Sequence, residues 1–167
     1  EFITRLRRRS PTKSSYMLHA DDIAPGELPH CVVLACAARA SSDAQLDGIA
    51  RWLRERFAGR CWLALELLRE IGDERWLQRL HGLGQRWALP LVASGDVHMH
   101  LRSRKPLQDL LTATRLGRPL GACGSQLQPN AERHLRSRER LAQTYAAALL
   151  EQTLQVAARC DFSLDEL

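Results

Sequence analysis

Leu91-Val92-Ala93-Ser94-Gly95-Asp96-Val97-His98-Met99-His100 is an apolar run that meets a glycine and then presents a carboxylate and two imidazoles at alternate positions. The run has the character of a buried strand, and side chains of extended backbone alternate with a period of two. The pattern therefore predicts Asp96, His98 and His100 on one side, at the carboxyl end of a strand. Oxygen and nitrogen donors converging on one point are what a divalent metal needs. The loops at that end of α/β folds are also where ligands bind. The competing reading is a solvated loop, because two or three donors do not complete a metal site.

Upstream, Cys31 to Cys36 reads as a buried strand, and Cys61 to Leu68 as a second, nearly all apolar and covered on both faces. Between them Ser42, with Gln45 three residues on, carries a capping-box signature. It opens a helix over 43–57 with Leu46, Ile49, Ala50, Leu53 and Phe57 on one face, stopped near Gly59. A second helix over 73–87 sets Trp76, Leu80, Leu83 and Trp87 at helical spacing, with the indoles read as core. It leads to the third strand, Leu89 to Ser94. Alternating strands and helices imply right-handed parallel crossovers, hence an α/β sheet or barrel segment. In the second strand Trp62, Ala64 and Glu66 share one face, and Leu63, Leu65 and Leu67 the other. With the leucines under the outer helices, Glu66 points to the opposite face and needs a partner there. An arginine or a backbone group is the ordinary solution; a metal or His98 is the functional one.

The first thirty residues read as irregular, with loop signals over 10–15 and 24–29. After the Asp-x-His-x-His turn, Leu107, Leu110, Leu111 and Thr114 form a helical stripe ending near Gly117. Gly121 to Asn130 reads as loop, Ser137 caps a short helix through about Tyr145, and a last helix runs from about Ala146 to Cys160. These two helices lack an intervening strand and read as an appended layer.

At 167 residues the chain is long enough for one domain, which at this size buries roughly 70% of its unfolded surface. Its 45% hydrophobic and 26% charged residues are ordinary for a soluble globular protein. No apolar run reaches the ~18 residues of a membrane span, and no signal-like segment argues for secretion. The opening Glu1-Phe2-Ile3-Thr4 and the end Ser163-Leu164-Asp165-Glu166-Leu167 read as those of an internal piece of a longer chain. Five cysteines (Cys31, Cys36, Cys61, Cys123, Cys160) contain no CxxC pair and fit reduced, buried thiols in a cytoplasmic protein. The net charge of +5 is arginine-heavy. Basic groups stand at Arg5, Arg7, Arg8 and Arg9, at Arg102, Arg104 and Lys105, and at Arg133, Arg136, Arg138 and Arg140. Such groups track a phosphate backbone or merely solvate a surface.

Four stretches together carry a resemblance. They are Gly95-Asp96-Val97-His98-Met99-His100, Leu107-Gln108-Asp109-Leu110-Leu111-Thr112-Ala113, Leu127-Gln128-Pro129-Asn130-Ala131-Glu132-Arg133-His134-Leu135-Arg136 and Arg159-Cys160-Asp161-Phe162-Ser163-Leu164-Asp165-Glu166-Leu167. In this order they resemble the bacterial error-prone DNA polymerases, relatives of the replicative polymerase III alpha subunit. The resemblance covers essentially the whole chain. It implies the polymerase and histidinol phosphatase (PHP) domain at the N-terminus of those enzymes. The implied fold is α/β, a partial distorted (β/α) barrel. Residues 1–120 would be the C-terminal half of that barrel, and 121–167 a loop and helical connection toward the polymerase core.

For the intact protein the resemblance implies a cytoplasmic nucleotidyltransferase that copies damaged template with reduced fidelity. Its cofactor would be Mg2+, and its partners DNA and deoxynucleoside triphosphates. Accessory mutagenesis proteins and the sliding clamp are expected partners, and a membrane is not. The palm aspartates of that enzyme have no match here, so this piece is expected to be structural. The alternatives are a metal-dependent phosphoesterase of PHP type and a basic DNA-binding module without chemistry. Asp96 and His98 match the Asp-x-His that supplies ligands in metal-binding members, with Zn2+ or Mn2+ as the implied ion. Glu66 and Cys36 are the further ligand candidates, and His100 is expected to face DNA or to stand behind the ligands. Leu67 and Leu68 occupy a region where some relatives carry a histidine, and the family's His-x-His pair has no match. The metal site is therefore expected to be incomplete, with weak or absent hydrolysis. Arg136 and Arg138 are candidates for phosphate contact within the segment Arg133 to Arg140. That segment is expected to serve through packing and charge, because a guanidinium exchanges no proton near neutral pH. The competing reading pairs these arginines with Glu132 and Glu139.

Overall fold

Three parallel strands, β1 (Val33–Ala35), β2 (Cys61–Glu66) and β3 (Leu91–Ser94), form one sheet in the order β1-β2-β3. This is a computed structural model, and it describes residues 2–12, 16–163 and 165. The loop reading at Lys13, Ser14 and Ser15, and Leu164, Glu166 and Leu167 of the last motif, lie outside the described residues. The helices are α1 (Phe2–Arg9), α2 (Asp43–Phe57), α3 (Asp73–Trp87), α4 (Lys105–Leu116), α5 (Arg138–Thr144) and α6 (Ala147–Ala157). Val33 pairs with Cys61, Leu63 with Leu91, and Glu66 with Ser94. All three strands therefore end on the same edge, and that edge carries the candidate site.

The local signals behave as their chemistry dictates. Ser42 Oγ accepts from Gln45 N at 3.3 Å while Ser42 N donates to Gln45 Oε1 at 2.8 Å, so the capping box closes the start of α2. Leu46, Ala50, Leu53 and Phe57 of α2 are buried with Trp76, Leu80 and Leu83 of α3 and with Cys61, Leu63 and Leu65 of β2. On the other side of β2, Trp62 and Ala64 are also buried. The Trp62 indole donates to Gln152 of α6 at 2.8 Å and lies under the Arg159 guanidinium. A strand covered on both faces reads as an unbroken apolar run. The sharp return from α3 to β3 needs Gly84: a Cβ there would stand 2.6 Å from Leu91 Cδ1 and 2.7 Å from the Leu89 carbonyl oxygen. No helix among the described residues is long and apolar enough to cross a membrane.

The structure corrects several expectations. Residues 2–9 are helical, although the N-terminal thirty were read as irregular. Eight residues hold little helix on their own. Here tertiary contacts hold them: Leu6 is buried, and Arg5 and Arg9 pair with Glu27 and Asp22. The first strand is shorter than Cys31 to Cys36 and only half-buried. It is an edge strand bonded to β2 alone, with Leu34 43% exposed. The second strand stops at Glu66 instead of Leu68, because beyond it the backbone bonds to side chains: Leu67 N donates to the Tyr145 hydroxyl and the Leu68 carbonyl accepts from Asn130. All five cysteines are free thiols, but only Cys61 and Cys123 are buried. The apolar stripe of α4 is uncovered in this chain, with Leu107, Leu110 and Leu111 48%, 56% and 57% exposed.

Candidate site at the carboxyl edge of the sheet

Glu66 is the last residue of β2, and Asp96 lies two residues beyond the end of β3. Because Glu66 is in register with Ser94, the parallel pairing brings the two carboxylates to neighbouring strand ends. The strand alternation predicted for Asp96, His98 and His100 does not survive, because the chain leaves extended geometry after Ser94. Asp96 sits at φ 39°, in the left-handed region, which non-glycine residues other than Asn and Asp seldom visit. Asp96 and His98 still meet, but through a turn: His98 Nε2 lies 3.1 Å from Asp96 Oδ1. The other ring nitrogen, Nδ1, faces the Gln108 amide of α4 at 3.5 Å. His100 is exposed beyond this turn.

A segment from the C-terminal third of the chain lies across this edge. Asn130 donates to the Leu68 carbonyl at 2.8 Å, and Arg136 Nη1 to the Leu67 carbonyl at 3.0 Å. Between them the Arg133 carbonyl accepts from His98 N at 2.9 Å and Met99 N at 3.2 Å, and Leu135 N donates to Met99 O at 3.1 Å. Met99 and His134 thereby form a parallel bridge. So held, the Arg133 guanidinium pairs with Asp96 and lies 3.9 Å from Glu66 Oε2. The buried Glu132 takes its own cation from another loop: Arg102 Nη2 lies 2.7 Å from Oε1, close enough for an ion pair though not aligned for a hydrogen bond. Tyr145 completes the rim. Its buried hydroxyl donates to Ser94 O at 2.6 Å and accepts from Leu67 N at 3.0 Å, so it staples the ends of β2 and β3.

Cys36 follows β1 at the same edge and is exposed. Desolvation, with the negative charge of Glu66 adding to it, pushes its thiol pKa up. A raised thiol pKa means less thiolate near neutral pH and a weaker nucleophile and ligand. Replacing Glu66 with Gln is accordingly expected to increase alkylation of Cys36 by iodoacetamide near neutral pH. Site-resolved mass spectrometry separates Cys36 from the exposed Cys31 and Cys160, and an unchanged Cys36 rate would mean Glu66 does not act on it.

The structure thus brings together Glu66, Asp96 and His98, and places Cys36 within electrostatic reach of Glu66. It also supplies Arg133, which sequence reasoning had grouped with its basic neighbours and not with the carboxylates. The need of Glu66 for a partner was the signal; which arginine would answer it was not readable locally. As arranged, these donors do not fit a divalent ion. Arg133 lies against both carboxylates, and among the described residues no group of three His, Cys, Asp or Glu side chains could hold a metal. Of the arginines singled out for phosphate contact, Arg136 is half-buried, bonded to the Leu67 carbonyl and stacked over the Tyr145 ring, while Arg138 is exposed in the first turn of α5.

No protein-family model matches the chain. Curated relatives do. A protein of Methylococcus capsulatus named error-prone DNA polymerase is 49% identical over 166 residues, which is 99% of this chain and 15% of the relative. One of the same name from Dechloromonas aromatica is 49% identical over 97% of this chain and 16% of its own length. A third, from Pseudomonas syringae pv. tomato, is 45% identical over 99% of this chain and 16% of its own length. The chain is therefore homologous, along nearly its whole length, to one segment that makes up 15–16% of these relatives.

Proposed function

We propose that this chain, homologous along its length to a segment of error-prone DNA polymerases, is a structural part of such a polymerase. In this reading residues 1–120 are the C-terminal half of a PHP-type barrel, and 121–167 lead toward the polymerase core. The intact protein extends a primer across damaged template from deoxynucleoside triphosphates, in the cytoplasm, with accessory mutagenesis proteins and the sliding clamp as partners. Mg2+ in that enzyme would activate the primer hydroxyl and stabilise the leaving pyrophosphate; no residue of this chain is assigned to it. What supports the reading is identity of 43–49% over nearly the full chain with several such polymerases. The chain's own residues then do mechanical work. Asn130, Arg133, Arg136 and Tyr145 fasten the C-terminal segment to the sheet edge, and α4 offers uncovered leucines to the rest of the enzyme.

A second reading, hydrolysis of a phosphoester at this edge, starts from the clustering of Glu66, Asp96 and His98, and the Arg133 guanidinium lying against both carboxylates opposes it. Both are tested on the full-length protein. Primer extension past an abasic site, dependent on Mg2+, is the expected result, and its absence would remove the polymerase reading. Hydrolysis of a phosphoester that depends on Mn2+ or Zn2+ and is lost in Asp96→Ala would establish the second.

A further inference from the structure

We infer that Arg133 is the resident cation of this site: its guanidinium takes the position between Glu66 and Asp96 that a divalent ion would need, so the site binds none. The inference rests on residues of this chain alone and not on the polymerase reading. Two carboxylates at adjacent strand ends repel one another and require a positive charge to share. Arg133 provides it from 16% exposure, paired with Asp96 and 3.9 Å from Glu66.

The backbone delivers that charge. His98 N and Met99 N both donate to the Arg133 carbonyl, so the loop that carries Asp96 also positions the arginine that neutralises it. Asn130 and Arg136 anchor the segment on either side of Arg133 to the carbonyls that follow β2. The remaining donor is engaged as well: His98 spends Nε2 on Asp96 and faces Gln108 with Nδ1. A divalent ion entering here would meet a fixed guanidinium, which cannot lose its proton to make room. Like charges in contact raise the cost of entry.

Arg133 is thus a positioning residue, and its consequence is measurable as metal content. The full-length protein is stripped with a chelator, dialysed against Mn2+ or Zn2+, and its metal counted. Asp96→Ala is used to identify the ion belonging to this site. The wild type is expected to hold no ion that Asp96→Ala removes. Arg133→Ala leaves two carboxylates with no cation to share and is expected to hold more Mn2+ or Zn2+ than wild type. The gain is less than one firmly held ion, because no three donors among the described residues converge there. Arg133→Ala combined with Asp96→Ala loses that excess. Arg133→Lys keeps the positive charge and should remain without it. An Asp96-dependent ion in the wild type would overturn the inference, and so would a folded Arg133→Ala protein that gains no metal. Should Arg133→Ala fail to fold, the wild type and Asp96→Asn decide alone: equal metal content supports the resident guanidinium, and a difference of one ion refutes it.

Discussion

Replacing Phe57 with Ala is expected to destabilise the domain by about 3–5 kcal/mol, the usual cost of removing a buried aromatic ring. Phe57 is 1% exposed at the end of α2, inside the cluster formed by α2, α3 and β2. Its ring packs at a tilt against Trp52, with centroids 5.3 Å apart. The Arg60 guanidinium sits over it, 4.8 Å from the centroid. The loss would therefore spread beyond the cavity. Arg60 also donates to the carbonyls of Glu27, Leu28 and Cys31, tying the loop before β1 to the turn before β2. Hydrogen exchange of the β2 amides in the full-length protein, read by mass spectrometry, should accelerate by two orders of magnitude or more where exchange follows domain opening. Exchange within a factor of three of wild type would show that the core tolerates the hole.

Tyr145→Phe removes a single oxygen and is expected to cost about 2–3 kcal/mol. The hydroxyl donates to Ser94 O and accepts from Leu67 N, with Arg136 Nη2 3.5 Å away. Without it a backbone donor and a backbone acceptor at the sheet edge lose their shared partner, each at about 1–3 kcal/mol where water cannot replace it. Water reaches part of this rim, which sets the estimate near the lower end of the sum. The ring stays, so the change should be confined to polar contacts at the ends of β2 and β3. Exchange should rise at Leu67 and in the segment from Asn130 to Arg136, with the α2–α3 core unaffected. A uniform rise across the domain would place the role of Tyr145 in core packing instead.

Much of the architecture was legible from one-dimensional patterns. Unbroken apolar runs and 3.6-residue spacings located three parallel strands and the helices α2 to α6, and Ser42 with Gln45 marked the start of α2 within a residue. The apolar run Cys61 to Leu65 announced a strand covered on both faces. Even the chemistry was partly legible: an acid at the end of such a strand, Glu66, needed a partner.

Other features became visible only in three dimensions. The N-terminal helix has few local signals and is held by Leu6 and by ion pairs to Asp22 and Glu27. The alternation of Asp96, His98 and His100 was a correct rule applied past the end of the strand at Ser94, because a left-handed Asp96 ended the strand geometry on which it depended. Above all, Arg133 and Arg136 looked like members of a basic surface run. Arg136 reaches the carbonyl of Leu67, 69 residues earlier in the chain, and its neighbour in the same segment reaches Glu66. Periodicity encodes which face of an element is apolar, since that depends on residues a few positions apart. Which charges meet across the fold depends on where distant backbone segments come to rest, and that is set by the packing of the whole domain.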